Sequence, residues 1–397
     1  MGRLEEILAG FPLKERWVYL DNAATSLKHE RVIRAVERAL REFGVNVGRS
    51  AHPPGEEATR AFERARETVA SFLGVDPRCL AFTFNATASI HAVLCALDLG
   101  KGDRVVTTAL EHHSNLSPWL RFAEVLGFDV EIVGFDAETG TVDLSELESA
   151  VDDRTRVVAI THESNALGSL QPVEEVLGLA EEVGAYVLLD AAQSVGVLDH
   201  DFSRYHFVVA PGHKALLGPH GTGLLYVRED VLEELEPRLL GGGSTERVEG
   251  TEVVPSEPPH VFESGTPNLP GVVGLAEGVR ILREVGLGRI ERRVRRLTRR
   301  AMEGLMDLDG VEVLCPEARR ATIVSFVVDG RDPGEVSREL GERGICVRSG
   351  THCATLVFER LGLEGCVRAS LAFYNEGDEV EEFLRALEGI TRRGASS

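Results

Sequence analysis

Seven short apolar runs, at 80–84, 104–109, 130–135, 157–161, 186–190, 207–210 and 223–227, recur along the chain, and most are followed by a stretch of helical periodicity. Runs this apolar fit strands covered on both sides, the condition of a mainly parallel sheet with helices on each face. The pattern predicts an α/β fold. Binding sites in such sheets gather at the carboxyl ends of the strands. From about Val248 to Pro270 the texture turns rich in Pro, Gly and Glu and reads as a crossing loop or joint. Beyond it the sequence predicts a long helical stretch, strands at 322–329 and 344–350, and a C-terminal helix, together a smaller α+β domain. A chain of 397 residues is long enough to bury two such cores.

Lysine is scarce, with four residues (Lys14, Lys28, Lys101 and Lys214) among 43 basic ones, so a fixed positive charge is written almost everywhere as arginine. A lysine amine can shed its proton or form a Schiff base, which a guanidinium cannot. Lys214, in the "PGHK" that follows the 207–210 strand, is thereby marked for chemistry. Other polar residues stand just past strand ends. Thr87 opens a helix, where its hydroxyl and the free N–H groups suit a phosphate or a simple cap. His112 and His113 fit ring stacking or core packing, and Asp190 fits a turn or a protonated ring nitrogen. Gln193 follows Asp190, and His213 precedes Lys214. Together they supply a phosphate cradle, a ring stacker, a carboxylate for a pyridinium, an amide for a phenolate and a Schiff-base lysine. Those are the parts that pyridoxal 5'-phosphate (PLP) requires of a protein.

The segments "YLDNAATS" (19–26), "EHHSNLSPW" (111–119), "HESNALGSLQPV" (162–173), "LLDAAQSVG" (188–196), "GHKALLGPHGTGLLYV" (212–227), "FESGTPNLPG" (262–271), "VRSGTHCA" (347–354) and "VRASLAFYN" (367–375) span nearly the whole chain. In their order they resemble the class V, fold-type I PLP enzymes, and among these the SufS-type (group II) cysteine desulfurases and selenocysteine lyases. The resemblance implies a PLP-binding large domain at 15–262, a small domain at 263–397 joined by an N-terminal arm at 1–14, and a homodimer. It implies that Lys214 forms the Schiff base, Asp190 faces the pyridinium nitrogen, Gln193 the phenolic oxygen, and His112 stacks on the ring. Thr87 and His213 would hold the phosphate together with Thr266 of the other subunit. Asn165 and Arg368 would bind the substrate carboxylate, with Arg348 a further cation beside them. Cys353 would take sulfur from L-cysteine, or selenium from L-selenocysteine, and pass it to an acceptor protein, as in sulfur mobilisation for iron–sulfur cluster assembly. Other class V reactions that leave Cys353 unused, such as aminotransferase or epimerase chemistry, and a non-catalytic sulfur-carrier scaffold are the alternatives. The chain departs from the family in having Pro211 where Ser is usual, Ala86 before Thr87, and Gly48 in place of a histidine.

A formal charge of −21 argues against nucleic acid or an anionic membrane as partner. No apolar run approaches the roughly 18 residues of a membrane span, and the N-terminus does not read as a secretory signal, so a cytoplasmic location is expected. Six cysteines without a C-x-x-C pair predict neither a disulfide framework nor a zinc site, and His112, His113 and His162 match no ligand spacing. The arginine-rich helix at 289–305 reads as a solvated face with glutamate partners.

Overall fold

The computed structural model describes residues 2–48 and 50–394. The seven apolar runs form one sheet, ordered Leu80–Thr83, Gly223–Val227, Phe207–Pro211, Tyr186–Asp190, Thr155–Thr161, Arg104–Thr108 and Asp129–Val133. Gly223–Val227 runs antiparallel to both neighbours, and the remaining pairs are parallel. Its exception has a local cause. Residues 212–222, which carry Lys214, contain no helix, and without a crossover the chain can only turn back on the strand it has just left.

Within the strands, successive side chains enter different cores. Val158, Ile160, Val187, Leu189 and Val208 pack on one face, while Val157, Ala159, Leu188, Phe207 and Val209 pack on the other. This period of two, apolar on both sides, is why the runs contain almost no polar residue until they end.

A second, four-stranded antiparallel sheet is ordered Val311–Val313, Ile323–Val328, Cys366–Ser370 and Arg348–Gly350. The single strand expected at 344–350 is divided: Ile345–Cys346 pairs in parallel with the N-terminal Val18–Tyr19, and Arg348–Gly350 pairs with Cys366–Ser370. The joint expected from Val248 contains a hairpin, Thr245–Glu249 with Glu252–Pro255, turned at Gly250 with φ +63°. Its Pro and Glu content hid an edge ribbon that needs no apolar face. Helix Leu269–Val285 lies past residue 262 but packs on Glu30–Phe43 and Pro53–Leu73 in the large core. Helix Leu287–Met306 places Ile290 and Val294 in that core and Leu297, Ala301 and Leu305 in the small one. We propose that the division between the two bodies runs through this helix. Its arginines are only partly a solvated face: Arg295 and Arg300 pair with Glu291 and Glu381, whereas Arg293 donates to the carbonyls of Phe373 and Asn375.

The 263–268 segment is tied to the edge of the large sheet by a buried ion pair. Arg66, 1% exposed, donates to both oxygens of Glu263 at 2.6 and 2.9 Å and to the Leu80 carbonyl at 2.8 Å, while Glu263 accepts the Phe82 N–H at 2.7 Å. Removing one member of such a pair strands the other. Arg66→Ala should therefore cost about 3–5 kcal/mol of stability in urea unfolding, far more than an exposed pair such as Arg41–Glu37. A loss under about 1 kcal/mol would show that Glu263 finds compensation elsewhere.

Candidate active site

The polar residues past the strand ends converge on one cavity of about 420 Å³, within the range of small-molecule sites. Thr87, His112, Asp190, Gln193, His213 and Lys214 line it from the large body, together with Asn165. Arg348, Cys353 and Arg368 close it from the small body. Neither sheet alone would make this site.

Each side chain is held by its neighbours. Asn85 caps helix Ala86–Leu94 by accepting the Ala88 N–H at 2.9 Å, which leaves the N–H groups of Ala86 and Thr87 at a helix start with no preceding carbonyl of their own. The Thr87 hydroxyl meets Ser114 at 2.7 Å, and Ser114 also reaches His112 Nδ1 at 3.0 Å. Ser114, which no sequence motif singles out, thus joins the helix start to the expected ring stacker. Gln193 donates to the Ala23 carbonyl at 3.1 Å. The backbone around Lys214 is clamped by the N-terminal segment: the His213 carbonyl accepts from Thr25, Ser26 and Lys28, and the Lys214 carbonyl accepts from the Ser26 hydroxyl at 2.7 Å. Pro211 lines the cavity without an N–H to offer.

Burial sets the charges. It pushes Lys214 down to about 8, against the opposing pull of Asp190, and it raises the carboxyl of Asp190 despite the cation of Lys214. It also lowers His112 and His213, each to about 4, with Lys214 adding to the effect, so both rings are neutral at physiological pH. Lys28 falls to about 7 through burial, but its amine is directed to the His213 carbonyl at 2.8 Å and the Ser26 hydroxyl at 3.1 Å.

Arg368, 2% exposed, donates to the Asn165 carbonyl at 2.8 Å and to Asp21 at 3.3 Å, and its Nε has no partner. Asp21 also receives Arg348 Nε at 3.2 Å on each oxygen. This shared counter-ion is invisible to sequence reasoning because an Asp in "YLDNAATS" carries no sign of contacts more than 300 residues away. Of the six cysteines, all unpaired, Cys353 is the exposed one. Burial pushes the thiols of Cys79 and Cys315 up to about 11 and that of Cys366 to about 12. Thr266 is not brought to the Lys214 cavity by its own chain. It lines a different cavity of about 570 Å³ together with Gly48, His260 and Glu263. Among the described residues, no group of three His, Cys, Asp or Glu side chains could hold a metal ion.

Residues 18–383 match the class-V aminotransferase family. A probable cysteine desulfurase of Pyrococcus abyssi is 39% identical over 399 residues, covering 99% of each chain. Another, of Methanothermobacter thermautotrophicus, is 40% identical over 398 residues with the same coverage. The solved apo structure of the cysteine desulfurase from Thermococcus onnurineus superimposes with a TM-score of 0.93 at 39% identity, covering 99% of both chains.

The depressed lysine gives a direct test. Below pH 8 the Lys214 amine is protonated and cannot attack an aldehyde; above it the amine is free. Reaction of the cofactor-free protein with PLP, trapped by borohydride and mapped by peptide mass spectrometry, should label Lys214, with a rate that climbs about tenfold per pH unit and levels off above about pH 8. Labelling at Lys28 in its place would move the reactive amine out of this cavity.

Proposed function

The chain belongs to the class V aminotransferase family, and on that premise we propose that it is a PLP-dependent cysteine desulfurase, which converts L-cysteine to L-alanine and leaves a persulfide on Cys353. The observation that carries the reading is the meeting of Lys214, Arg368 and the exposed Cys353 in one cavity. The residues fit the cofactor: a buried carboxylate, Asp190, stands in the cavity with its own pKa raised by burial, where a pyridinium would find a counter-charge. Asp190 would face the ring nitrogen, Gln193 the phenolic oxygen and His112 a ring face. Thr87, His213 and the N–H groups opening helix Ala86–Leu94 would hold the phosphate. When bound, PLP supplies the electron sink for the charge left at the substrate Cα.

The remaining work falls to the chain. Arg368 and Asn165, both in the cavity wall, would bind the substrate carboxylate. A neutral Lys214 amine takes the Cα proton, a role its lowered pKa suits near pH 8. The Cys353 thiolate then attacks the substrate sulfur. Its Sγ–S bond forms as the substrate's Cβ–S bond breaks, and the electron pair stays with the carbon fragment, which takes one proton at Cβ, regains the Cα proton from Lys214 and leaves as alanine. His112, neutral beside the cavity, adds no competing positive charge.

Because Thr266 lies away from Lys214 in its own chain, its phosphate contact requires a homodimer, and the cavity it shares with Gly48 supports such a surface. The exposure of Cys353 suits transfer of sulfur to an acceptor protein. Six free cysteines support a reducing, cytoplasmic setting.

Two variants separate the halves of the reaction. Lys214→Arg should lose both cofactor attachment and turnover, since a guanidinium forms no Schiff base and returns no base. Cys353→Ser should keep the PLP absorbance and still exchange the Cα proton of cysteine with solvent, while alanine and persulfide formation fall by about a hundredfold or more. Full alanine formation by Cys353→Ser would sink the desulfurase reading.

A further inference from the structure

The loop that carries Cys353 adopts a backbone its residues do not favour. Gly350 has φ +107°, which glycine takes freely, but His352 and Cys353 follow with φ +52° and +57°. Two successive non-glycine residues in the left-handed region cost on the order of 1–2 kcal/mol each, and such geometry persists only where surrounding contacts hold it. Two of those contacts are on the backbone: the His352 carbonyl accepts from Asn165 Nδ2 at 2.8 Å, and the Cys353 carbonyl accepts the His113 N–H at 2.7 Å. A third lies just beyond. Helix Thr355–Leu361 starts with Ala354 at its N-cap, which has no side chain to cap it. The His113 ring serves instead, its Nε2 taking the Thr355 N–H at 3.3 Å and meeting the Thr355 hydroxyl at 3.0 Å.

His113 follows His112 directly, yet their rings are 6.4 Å apart and tilted by 49°. His112 lines the cavity, while His113 turns to the loop. We propose that His113 is the positioning residue of the sulfur-accepting step: it fixes Cys353, by backbone and ring together, to the same dipeptide that presents His112 to the cofactor. The separation between nucleophile and cofactor is then set across one peptide bond, although Cys353 and His113 lie in different bodies of the fold. This rests on Cys353 being the sulfur acceptor. It predicts that loosening the His113 ring impairs attack on sulfur and spares the earlier proton transfer, because Lys214 is held by other contacts.

The test uses the PLP-loaded enzyme and three variants. In His113→Ala, alanine and persulfide formation should fall by about 10- to 100-fold, the range expected for a reacting group displaced by about an ångström. Solvent exchange of the substrate Cα proton should stay within about twofold. In the cofactor-free protein, amide hydrogen exchange across residues 350–357 should quicken. His113→Gln, whose amide oxygen reaches as far as Nε2, should recover most of the lost rate, and the shorter His113→Asn should not. The proposal is overturned if alanine formation is unchanged in His113→Ala, if it falls in step with Cα exchange, or if Gln and Asn behave alike. Should His113→Ala fail to fold, the contrast between Gln and Asn decides the matter. Wild-type enzyme that turns cysteine over without a persulfide on Cys353 would instead remove the functional reading on which the proposal stands.

Discussion

One N-terminal segment, residues 18–28, holds the two bodies and the site in register. Its backbone bonds to Gly344, Cys346 and Ser370 of the small body, with Val18 and Leu20 donating and the Leu20 carbonyl accepting. A few residues on, it turns to the large body, where the Ala23 carbonyl orients Gln193 and Ser26 grips the peptide of His213 and Lys214. Asp21, between these anchors, pairs with both Arg348 and Arg368. A shift of this strand would move the lysine, the amide and the arginines together, because main-chain bonds fix the segment to the second sheet while Ser26, the Ala23 carbonyl and Asp21 reach the site.

The site is also a place where the chain accepts electrostatic cost. Asp190, Lys214 and Arg368 are each desolvated, and each is shifted toward its neutral form by burial. A group left this way binds a partner of opposite charge more strongly than it would in water, which is the usual basis of both cofactor retention and pKa tuning. The choice of residue follows. Arginine resists deprotonation and serves where a lasting charge must meet a carboxylate, whereas lysine yields its proton and serves where a base is needed.

Much of this architecture is legible in the amino-acid sequence. The apolar runs announce the large sheet because burial on both faces of its inner strands leaves little room for polar residues, while the edge strand Asp129–Val133 exposes Asp129 and Glu131, and the polar residues just beyond the strands mark the cavity because strand ends are where buried chain meets solvent. Thr87, His112, Asn165, Asp190, Gln193, His213, Lys214, Arg348, Cys353 and Arg368 do line a single cavity. Short or edge-bound pieces leave no such trace. Val18–Tyr19 is too brief to show alternation, and the ribbon from Thr245 to Pro255 has little apolar face to display. The positioning roles of Ser114, Asp21 and His113 are equally hidden, since each acts through a neighbour contributed by another part of the chain.

What the sequence determined alone is therefore periodic or compositional: the α/β character, the strand ends, the lysine that follows Pro-Gly-His at a strand end, and the cysteine in its Arg-x-Gly-x-His-Cys setting. These are local properties, carried by a few consecutive residues whatever the rest of the chain does. The tertiary structure decided which of these elements meet. It split the 344–350 strand between two sheets, gave Arg368 and Arg348 a common counter-ion in Asp21, and set the His113 ring against Thr355 to cap the helix that follows Cys353. Such pairings span hundreds of residues and are selected by packing and by the need of every buried donor and acceptor for a partner, a condition that only the folded chain as a whole can satisfy.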